Sequence, residues 1–413
     1  MTIETCGPLG LDGTCTHGSS NRNQIGSEVG DSPGTRTSLN DSNLRSLAGK
    51  PSGTISFHDF YGKSSRATRT YTFTSNSYCV GLNVATGSYT GTVGGITISG
   101  SYSSGKTCVT INVNSGVYLY SNCTSIPGLS LTGGTTGDVV KLVNYGYIMG
   151  KGGGGGGWGT NHASPCNYCC CGTMIYGFKK SCYSATGRTG GPAIKMNFNL
   201  SICNQGYIGG GGGGGGASGS LSCYATGAAG GGGAGGGDGG KISIGCNVLA
   251  GGNGGAPGSA GTSAGYLTPC GSPVHCSEAT NGGGGGRIMP GSGGAGGRSW
   301  NGGRVPCGCN IHNWGYGGGA GGGGGVCNQA FFTCVQNQYG GAGGGAGCAG
   351  ATVSTTDQNG GGGGGWGAYG GSGYASRGCY GGAYAGGAGG KAICKNGYTL
   401  TVLTNGTIYG AVS

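Results

Sequence analysis

Solid runs of glycine dominate the second half of this chain and limit what it can fold into. Pure glycine tracts occupy residues 152–157, 209–216, 230–233, 282–286, 321–325 and 360–365. A residue without a side chain has almost nothing apolar to bury, so these tracts cannot build an ordinary hydrophobic core. The glycines do not recur at every third position and only 11 residues are proline, which excludes the Gly-X-Y repeat of collagen.

Two structures are open to such tracts. One is a flexible, solvated linker. The other is a bundle of polyglycine II helices, which are extended and bond laterally to one another through their backbone N–H and C=O groups. The tracts contain little serine and alternate with segments rich in Trp and Tyr, residues that solvated linkers avoid. The sequence therefore favours a polyglycine II bundle over residues 151–413, with side chains on loops at its ends.

Residues 1–66 have ordinary glycine content and predict a short helical segment. Asp41 is placed to cap a helix that ends at Gly49. Ser56 and Asp59 have capping-box spacing and predict a second helical turn. A piece of this size has little core of its own, so we expect it to pack on another surface.

Residues 67–150 read as a series of short strands. Apolar side chains alternate at positions 80, 82 and 84 and again at 109, 111 and 113, and Gly and Ser pairs separate the strands at hairpin-like intervals. This pattern predicts a small antiparallel β-sandwich. The expected fold class is thus mostly β and irregular, with a helical N-terminal segment, this sandwich and a polyglycine II bundle whose loops are stapled by disulfides.

An approximate repeat links the last two of these regions. An apolar run followed by a G-x-I-x-G step occurs at residues 142–150, 202–210 and 403–410. Repeats at irregular spacing predict one layered structure with loops of variable length.

The chain has 22 cysteines, most of them between the glycine tracts. Disulfides are favoured, because a fold without an apolar core gains most from covalent staples. Zinc is the alternative, since Cys166 and Cys169 have ligand spacing. The absence of a second clean pair of this kind argues against zinc, and no metal or other cofactor is expected.

Acidic residues are scarce beyond position 60, where only Asp138, Asp238, Glu278 and Asp357 remain. General acid–base and glycosidase chemistry need placed carboxylates, so the sequence predicts no enzyme. The net charge of +11 comes from dispersed Lys and Arg, which argues against nucleic-acid binding. No apolar stretch is long enough to insert into a membrane.

Two segments resemble proteins of tailed bacteriophages. Residues 38–64, SLNDSNLRSLAGKPSGTISFHDFYGKS, are similar to a segment near the N-terminus of many tail and fibre proteins. Residues 138–153, DVVKLVNYGYIMGKGG, resemble the entry to their glycine-rich domains. Residues 151–413 as a whole are similar to the distal tail-fibre adhesins of T-even-like phages, whose polyglycine II sandwiches carry variable loops that determine the host receptor. The cysteine content departs from those adhesins.

The resemblance implies a virion protein of the phage tail, exposed to the extracellular medium. Residues 1–66 would attach to other tail or fibre proteins through the apolar side chains Leu44, Leu47, Phe57, Phe60 and Tyr61. Residues 151–413 would bind a bacterial surface receptor, either protein or polysaccharide. The candidate receptor-binding residues are Trp158, Tyr168, Trp300, Trp314, Tyr316, Phe331, Phe332, Trp366, Tyr369, Tyr374, Tyr380, Lys179, Lys180, Arg298, Arg304 and Arg377.

Three other functions compete with the adhesin. A purely structural fibre or baseplate component is the main alternative, and its loops would contact only virion proteins. A depolymerase spike is disfavoured by the shortage of carboxylates. A free glycine-rich protein is disfavoured by the N-terminal resemblance.

Overall fold

A computed structural model describes much of the chain, and the structural statements below concern only that part. The described residues are 25, 29, 38–60, 66–162, 168–170, 173–175, 178–180, 186–217, 227–244, 247–249, 251–262, 279–280, 282–287, 289, 343–352, 360–373 and 384–413.

Strands are far more numerous than helices in the described residues. A helix, α1 (Ser42–Ala48), and a 3₁₀ turn (Phe57–Phe60) come first. The first strands are β1 (Ala67–Asn83), β2 (Tyr89–Gly100), β3 (Thr107–Val113), β4 (Tyr118–Tyr120), β5 (Leu129–Thr132), β6 (Val139–Asn144) and β7 (Tyr147–Met149). They are followed by β8 (Trp158–His162), β9 (Tyr168–Cys170), β10 (Thr173–Ile175), β11 (Phe178–Lys180), β12 (Ile194–Met196), β13 (Leu200–Asn204) and β14 (Tyr207–Gly209). The last are β15 (Gly227–Ala228), β16 (Ile242–Ile244), β17 (Asn247–Leu249), β18 (Ala279–Thr280), β19 (Ile393–Cys394), β20 (Leu400–Thr404) and β21 (Thr407–Tyr409).

Both ends of α1 lie where the sequence predicts them. The Asp41 carboxylate accepts a hydrogen bond from the Asn43 backbone N–H at 2.8 Å, which satisfies a donor that the first turn leaves unpaired. Gly49 follows the helix with φ of 72°, a left-handed conformation that suits glycine. The second expected turn is the 3₁₀ turn, and the Ser56 N–H donates to the Asp59 carboxylate at 2.8 Å as a capping box requires.

The main sheet has three faces made of parallel strands. In face 1, residues 67–73 of β1 are followed by β3, β6, β13 and β20. In face 2, residues 77–78 of β1 are followed by β4, β7, β14 and β21. In face 3, residues 80–83 of β1 are followed by β5, β12 and β19. The chain therefore winds as a solenoid, and successive coils add strands to the three faces.

Alternating side chains from the three faces fill one common core. Strand β3 shows strict alternation, with its residues 107, 109, 111 and 113 buried. Ile111 of face 1, Leu119 of face 2 and Leu131 of face 3 belong to one buried cluster. Burying these aliphatic side chains stabilises the coils by roughly 1.5–3 kcal/mol each.

The repeat noticed in the sequence is confirmed as a layered structure. Ile148 pairs with Ile208, and Ile208 pairs with Ile408, on neighbouring strands of face 2. The buried Asn144 donates from Nδ2 to Oδ1 of Asn204 at 2.8 Å. Equivalent residues of successive coils therefore stack, and the side-chain amides satisfy each other inside the core.

The predicted antiparallel sandwich over 67–150 is wrong. Strands β1, β3 and β6 pair in parallel, and the described antiparallel partner of β1 in this region is β2. Alternating apolar residues and glycine turns are common to hairpins and solenoid coils. The difference lies in long-range pairing, because the coils need partners such as β13 and β20 from far along the chain.

Extended glycine-rich segments pack beside face 2 and bond to one another through their backbones. We call them the glycine lattice; they are residues 150–157, 187–191, 209–217, 229–240, 251–262, 282–287, 343–351, 360–373 and 384–392. N–H groups three residues apart donate to the same neighbouring segment, with N···O distances from 2.7 to 3.0 Å: Gly152 to Gly235 and Gly155 to Asp238, and Gly153 to Gly212 and Gly156 to Gly215. The lattice thus satisfies buried backbone groups without a sheet.

The segments approach too closely for most side chains. A Cβ added at Gly214 would lie 2.0 Å from the carbonyl oxygen of Gly154. A Cβ added at Gly154 itself would meet its nearest neighbour, the Asp238 carbonyl oxygen, at 3.6 Å. Two glycines in adjacent tracts therefore differ sharply in the space around them.

This difference predicts opposite effects of the same substitution. Gly214→Ala should destabilise the chain by about 3 kcal/mol, because backbone atoms must move apart. Gly154→Ala should be neutral or stabilising by up to about 1 kcal/mol, because alanine restricts the unfolded chain more than glycine does. Thermal unfolding of both variants measures this, and similar unfolding temperatures for the two would contradict the close packing.

Side chains in the last coil of the solenoid are more exposed to solvent than those of the inner coils. Val140 of β6 is only 3% exposed, whereas Val402 of β20 is 44% exposed. Both valines lie on face 1, and Val402 is in register with the fully buried Ile202. Burial along face 1 thus decreases at β20.

Val140→Ala should therefore cost about 2 kcal/mol of stability, and Val402→Ala less than about 1 kcal/mol, since the apolar area removed from water differs. Denaturant unfolding of the two single variants tests the expectation. An equal loss at both positions would show that the last coil is as well covered as the interior.

Candidate functional site

The glycine lattice has two distinct ends. Residues 150 and 210 directly follow strands β7 and β14 of face 2, and we call this the proximal end. From there, segments 150–157 and 209–217 run side by side in the same direction, because Gly153 and Gly156 donate to Gly212 and Gly215. Residues 157 and 217 therefore lie together at the opposite, distal end.

Other lattice segments reverse direction at the proximal end. Segment 230–234 is antiparallel to 150–157, since Gly230 donates to Gly156 and Gly233 to Gly153. Segment 360–365 is antiparallel to 209–217 by the same kind of pairing. Several stretches of sequence, including 158–185 and 374–383, therefore begin and end at the distal end.

Seven of the sixteen candidate residues belong to these two stretches: Trp158, Tyr168, Lys179, Lys180, Tyr374, Tyr380 and Arg377. Trp158 is the first residue of β8, Tyr168 begins β9, and Lys179 and Lys180 are in β11. Ten candidates lie outside the described residues: Trp300, Trp314, Tyr316, Phe331, Phe332, Tyr374, Tyr380, Arg298, Arg304 and Arg377.

A four-stranded sheet brings three of the candidates onto neighbouring strands at the distal end. We call it the distal sheet, and its strand order is β11-β8-β16-β17. Lys179 pairs with Asn161 and Lys180 with Thr160 in antiparallel register. On the other side of β8, Trp158 pairs in parallel with Ile242 of β16. The sheet therefore joins two separate distal stretches through backbone hydrogen bonds.

The prediction that Trp366 binds the receptor is wrong. Its side chain is fully buried in a cluster with Met149, Ala234 and Met289, where the lattice covers the outer side of face 2. A Cβ added at Gly209 would meet Met289 at 2.4 Å and Trp366 at 3.2 Å. The indole thus packs at the proximal end and is not available to a ligand.

Tyr369 differs from its buried neighbour, because 65% of its surface is exposed. Its backbone lies in the lattice segment 360–373, two residues beyond the turn at Gly367, whose φ is 66°. The structure therefore places this candidate on the surface of the lattice.

Three tyrosines stack on the outer side of face 2, beneath the lattice. The rings of Tyr118 and Tyr147 are 4.5 Å apart and nearly parallel, and those of Tyr147 and Tyr207 are 5.5 Å apart. Stacked aromatic rings add packing energy of roughly 0.5–1.5 kcal/mol per pair beyond area burial. This ladder provides a firm base for the lattice.

Two basic residues that sequence reasoning did not single out lie where lattice and solenoid meet. Arg287 is 5% exposed and donates three hydrogen bonds to oxygen atoms, which are described further below. The ammonium of Lys151 donates to the carbonyl of Gly236. Burial lowers the pKa of both side chains, and the proximity of Arg287 lowers that of Lys151 further. A lone Arg beside a glycine tract carries no sequence signal of this role.

The expected attachment residues form a small cluster around α1. Leu44, Leu47 and Phe60 are buried together with Ile25. Phe57 is 41% exposed, and Tyr61 lies outside the described residues. The segment thus has a core of its own, and Phe57 remains on its surface.

Four of the described cysteines, Cys79, Cys123, Cys203 and Cys394, have thiols that are not joined in disulfides. A hydrogen bond from Ser125 lowers the pKa of Cys123, and burial raises that of Cys394. The described residues contain no cluster of three His, Cys, Asp or Glu arranged to hold a metal. Within the same residues, no helix is both long and apolar enough to cross a membrane.

The attachment segment has one carboxylate whose pKa is strongly lowered. Lys50 Nζ lies 2.8 Å from Asp59 Oδ1, and the hydrogen bonds from Lys50 and the Ser56 N–H lower the pKa of Asp59 from 3.8 to about 2. A depressed pKa means that the ionised form is favoured by folding, so its contribution is present above pH 3.8 and is lost as the pH falls towards 2.

An NMR titration should therefore find the Asp59 carboxyl ionised down to about pH 2. Lys50→Met should raise this pKa towards 3.8, because the strongest cause of the shift is removed. A midpoint near 3.8 in the unaltered chain would show that the Lys50 contact does not form in solution.

Comparison with known proteins gives a family and one structural likeness. A family model described as phage tail fibre adhesin Gp38 matches residues 95–305, slightly more than half of the chain. The chain is also similar to the crystal structure of the gp37-gp38 adhesin tip complex of the bacteriophage S16 long tail fiber. That match has 18% identity, covers 90% of this chain and 92% of the other, and has a TM-score of 0.36. None of the curated proteins matches this chain.

Proposed function

The chain belongs to the phage tail fibre adhesin Gp38 family, and we propose that it recognises a bacterial surface structure through the distal end of its glycine lattice. As a tail fibre adhesin, it is a component of the virion tail. The observation that carries the proposal is the side-by-side alignment of lattice segments 150–157 and 209–217 with the antiparallel segments 230–234 and 360–365, because stretches such as 158–185 and 374–383 then begin and end at the distal end.

The distal sheet is the described part of this receptor-binding end. It holds the backbones of Trp158, Lys179 and Lys180 on two hydrogen-bonded strands. Tyr and Trp contribute large contact areas with few rotatable bonds, and Lys favours an acidic surface such as a charged polysaccharide. Tyr168, Tyr374, Tyr380 and Arg377 are the other candidates of the distal stretches. The candidates of residues 290–342 are proposed as further contacts of the receptor: Trp300, Trp314, Tyr316, Phe331, Phe332, Arg298 and Arg304. Tyr369, on the lattice surface, is kept as a flanking contact.

We further propose that the lattice is a bundle of polyglycine II helices. The three-residue period of its lateral hydrogen bonds supports this, because a polyglycine II helix has three residues per turn. The close approach at Gly214 also supports it. Disulfides between cysteines of the distal stretches would complete the design, and the thiols of the solenoid would remain reduced.

Residues 1–66 are proposed as the attachment to other fibre proteins. The segment precedes β1 in the chain, so it is covalently joined to the solenoid rather than to the distal end. Its buried residues Leu44, Leu47 and Phe60 would shape the segment, while Phe57 and Tyr61 would provide apolar contact to the partner.

The proposal assigns binding and not catalysis to the chain. The proposed surface acts by contact with the receptor. The alternative function is that of a purely structural fibre component, whose distal end would contact virion proteins instead of the cell surface.

Adsorption of the parent virus to its host cells tests the proposal. The full-length, oxidised chain should block adsorption in a dose-dependent way. Lys179→Ser combined with Lys180→Ser should raise the half-blocking concentration by about fivefold, since an ion pair with an acidic receptor contributes up to about 1 kcal/mol and usually less.

The matched control replaces two lysines of the solenoid, Lys141→Ser with Lys195→Ser, and should leave blocking unchanged. Failure of the folded, unaltered chain to block adsorption would contradict the adhesin and favour the structural reading. A fivefold loss in the control as well would show that net charge, rather than the distal sheet, governs binding.

A further inference from the structure

Arg287 connects the glycine lattice to the solenoid through a fork of hydrogen bonds. Its Nη1 donates to Oδ1 of Asn122 at 3.0 Å, and its Nη2 donates to the carbonyl of Ser121 at 3.2 Å. Its Nε donates to the carbonyl of Gly235 in the lattice at 3.0 Å. One planar side chain thus holds two separate parts of the chain in a fixed relation.

The surroundings of Arg287 leave it little freedom. Its Cζ lies 5.0 Å from the ring centroid of Tyr120, which is a favourable position for a cation over an aromatic face. Gly236 has a φ of 75°, and a Cβ added there would lie 2.4 Å from Arg287 Nε. The backbone N–H of Arg287 donates to Ser259 and its carbonyl accepts from Gly258. Both the side chain and the backbone are therefore anchored.

The hydrogen bonds of the Arg287 guanidinium fix orientation more than they add to the free energy of folding. The described oxygens that accept from this guanidinium are backbone carbonyls and an amide, so the buried charge has no carboxylate hydrogen-bonded to it. Buried charges are costly, and apolar residues of similar volume often serve stability as well. A planar fork fixes orientation in a way that an apolar contact does not.

The lattice segment that Arg287 holds leads directly to the distal sheet. Gly152 and Gly155 donate to Gly235 and Asp238, so this segment runs in register with 150–157. Strand β8 begins three residues beyond Gly155 and β16 begins four residues beyond Asp238, and there Trp158 pairs with Ile242. An error in the position of residue 235 would therefore be carried along the segment to β16.

The first coil corner is a special place for such an anchor. Residues 121–128 connect β4 to β5 directly, whereas the equivalent corners of the next two coils open into the lattice at residues 150 and 210. None of the segments 235–241, 251–262 and 282–287 is directly continuous with a strand of the solenoid. Arg287 adds a hydrogen-bonded link at their proximal end, beside the packing of Met289 on Met149.

We propose that Arg287 is a positioning residue of the adhesin, which fixes the register of β16 against β8 by binding Asn122 and Ser121 of the solenoid corner. This inference rests on the proposed function for its effect on adsorption. Its effect on the register of the lattice stands independently of that function.

Amide hydrogen exchange of the full-length chain tests the register. In Arg287→Met, exchange should accelerate at least tenfold at Gly235, Gly239 and β16, and should stay unchanged in β3 and β6. Asn122→Ala should accelerate exchange at the same residues, but less. The variant with both substitutions should exchange no faster there than Arg287→Met alone, because both substitutions break the same contact.

Adsorption blocking, measured well below the unfolding temperature, provides the second readout. Arg287→Met should raise the half-blocking concentration about tenfold. Arg287→Lys keeps the charge but loses the fork, so its half-blocking concentration should lie between those of the unaltered chain and Arg287→Met. Val140→Ala serves as the matched control, since it destabilises the solenoid core without touching the corner, and it should block like the unaltered chain.

Three results would overturn the inference: unchanged exchange at 235–244, equal acceleration throughout the chain, or full additivity of the Arg287 and Asn122 substitutions. Equal blocking by Arg287→Met and the unaltered chain would remove its role in adhesion. If the unaltered chain itself does not block, the adhesin proposal fails, and the exchange data alone decide the register.

Discussion

The structure depends on backbone groups that bond to backbone groups across very short gaps. In the glycine lattice, carbonyl oxygens such as that of Gly154 occupy the space that a side chain on the neighbouring segment would need. This close approach lets N–H and C=O groups pair in several lateral directions at once. The lattice therefore replaces a hydrophobic core with a network of satisfied polar groups, and the side chains are left for its ends.

The solenoid supplies what the lattice lacks. Its core holds Ile, Leu and Val side chains from three faces in one cluster, and its coils set the spacing between successive layers. The lattice grows out of two of these coils, at residues 150 and 210, so the layer spacing of the solenoid is passed on to it. The stacked tyrosines of face 2 and the buried Trp366 pack where the lattice meets the solenoid. The hydrophobic core of the solenoid thus orients the hydrogen-bonded lattice.

Local features were readable in the sequence because they depend on neighbouring residues. The Asp41 cap, the glycine at 49 and the Ser56–Asp59 pair each involve contacts within a few positions, and each is present. The repeat around Ile148, Ile208 and Ile408 predicted layers, because equivalent positions in stacked coils need equivalent side chains. The sandwich prediction failed where pairing partners were far apart. Trp366 was misjudged for the same reason, since its burial depends on Met149 and Met289 from distant segments.

Sequence alone determined that an ordinary core was impossible over the glycine tracts and that aromatic and basic residues fall between them, and it favoured tracts that bond to one another over solvated linkers. Those conclusions follow from the absence of side chains and from the need to pair every buried N–H and C=O group. Tertiary structure decided which tracts are neighbours, which end of each tract faces away from the solenoid, and that Arg287 joins the two parts. The direction of each tract and the identity of its neighbours depend on how the layers pack, because glycine runs have the same sequence and therefore cannot specify one neighbour over another.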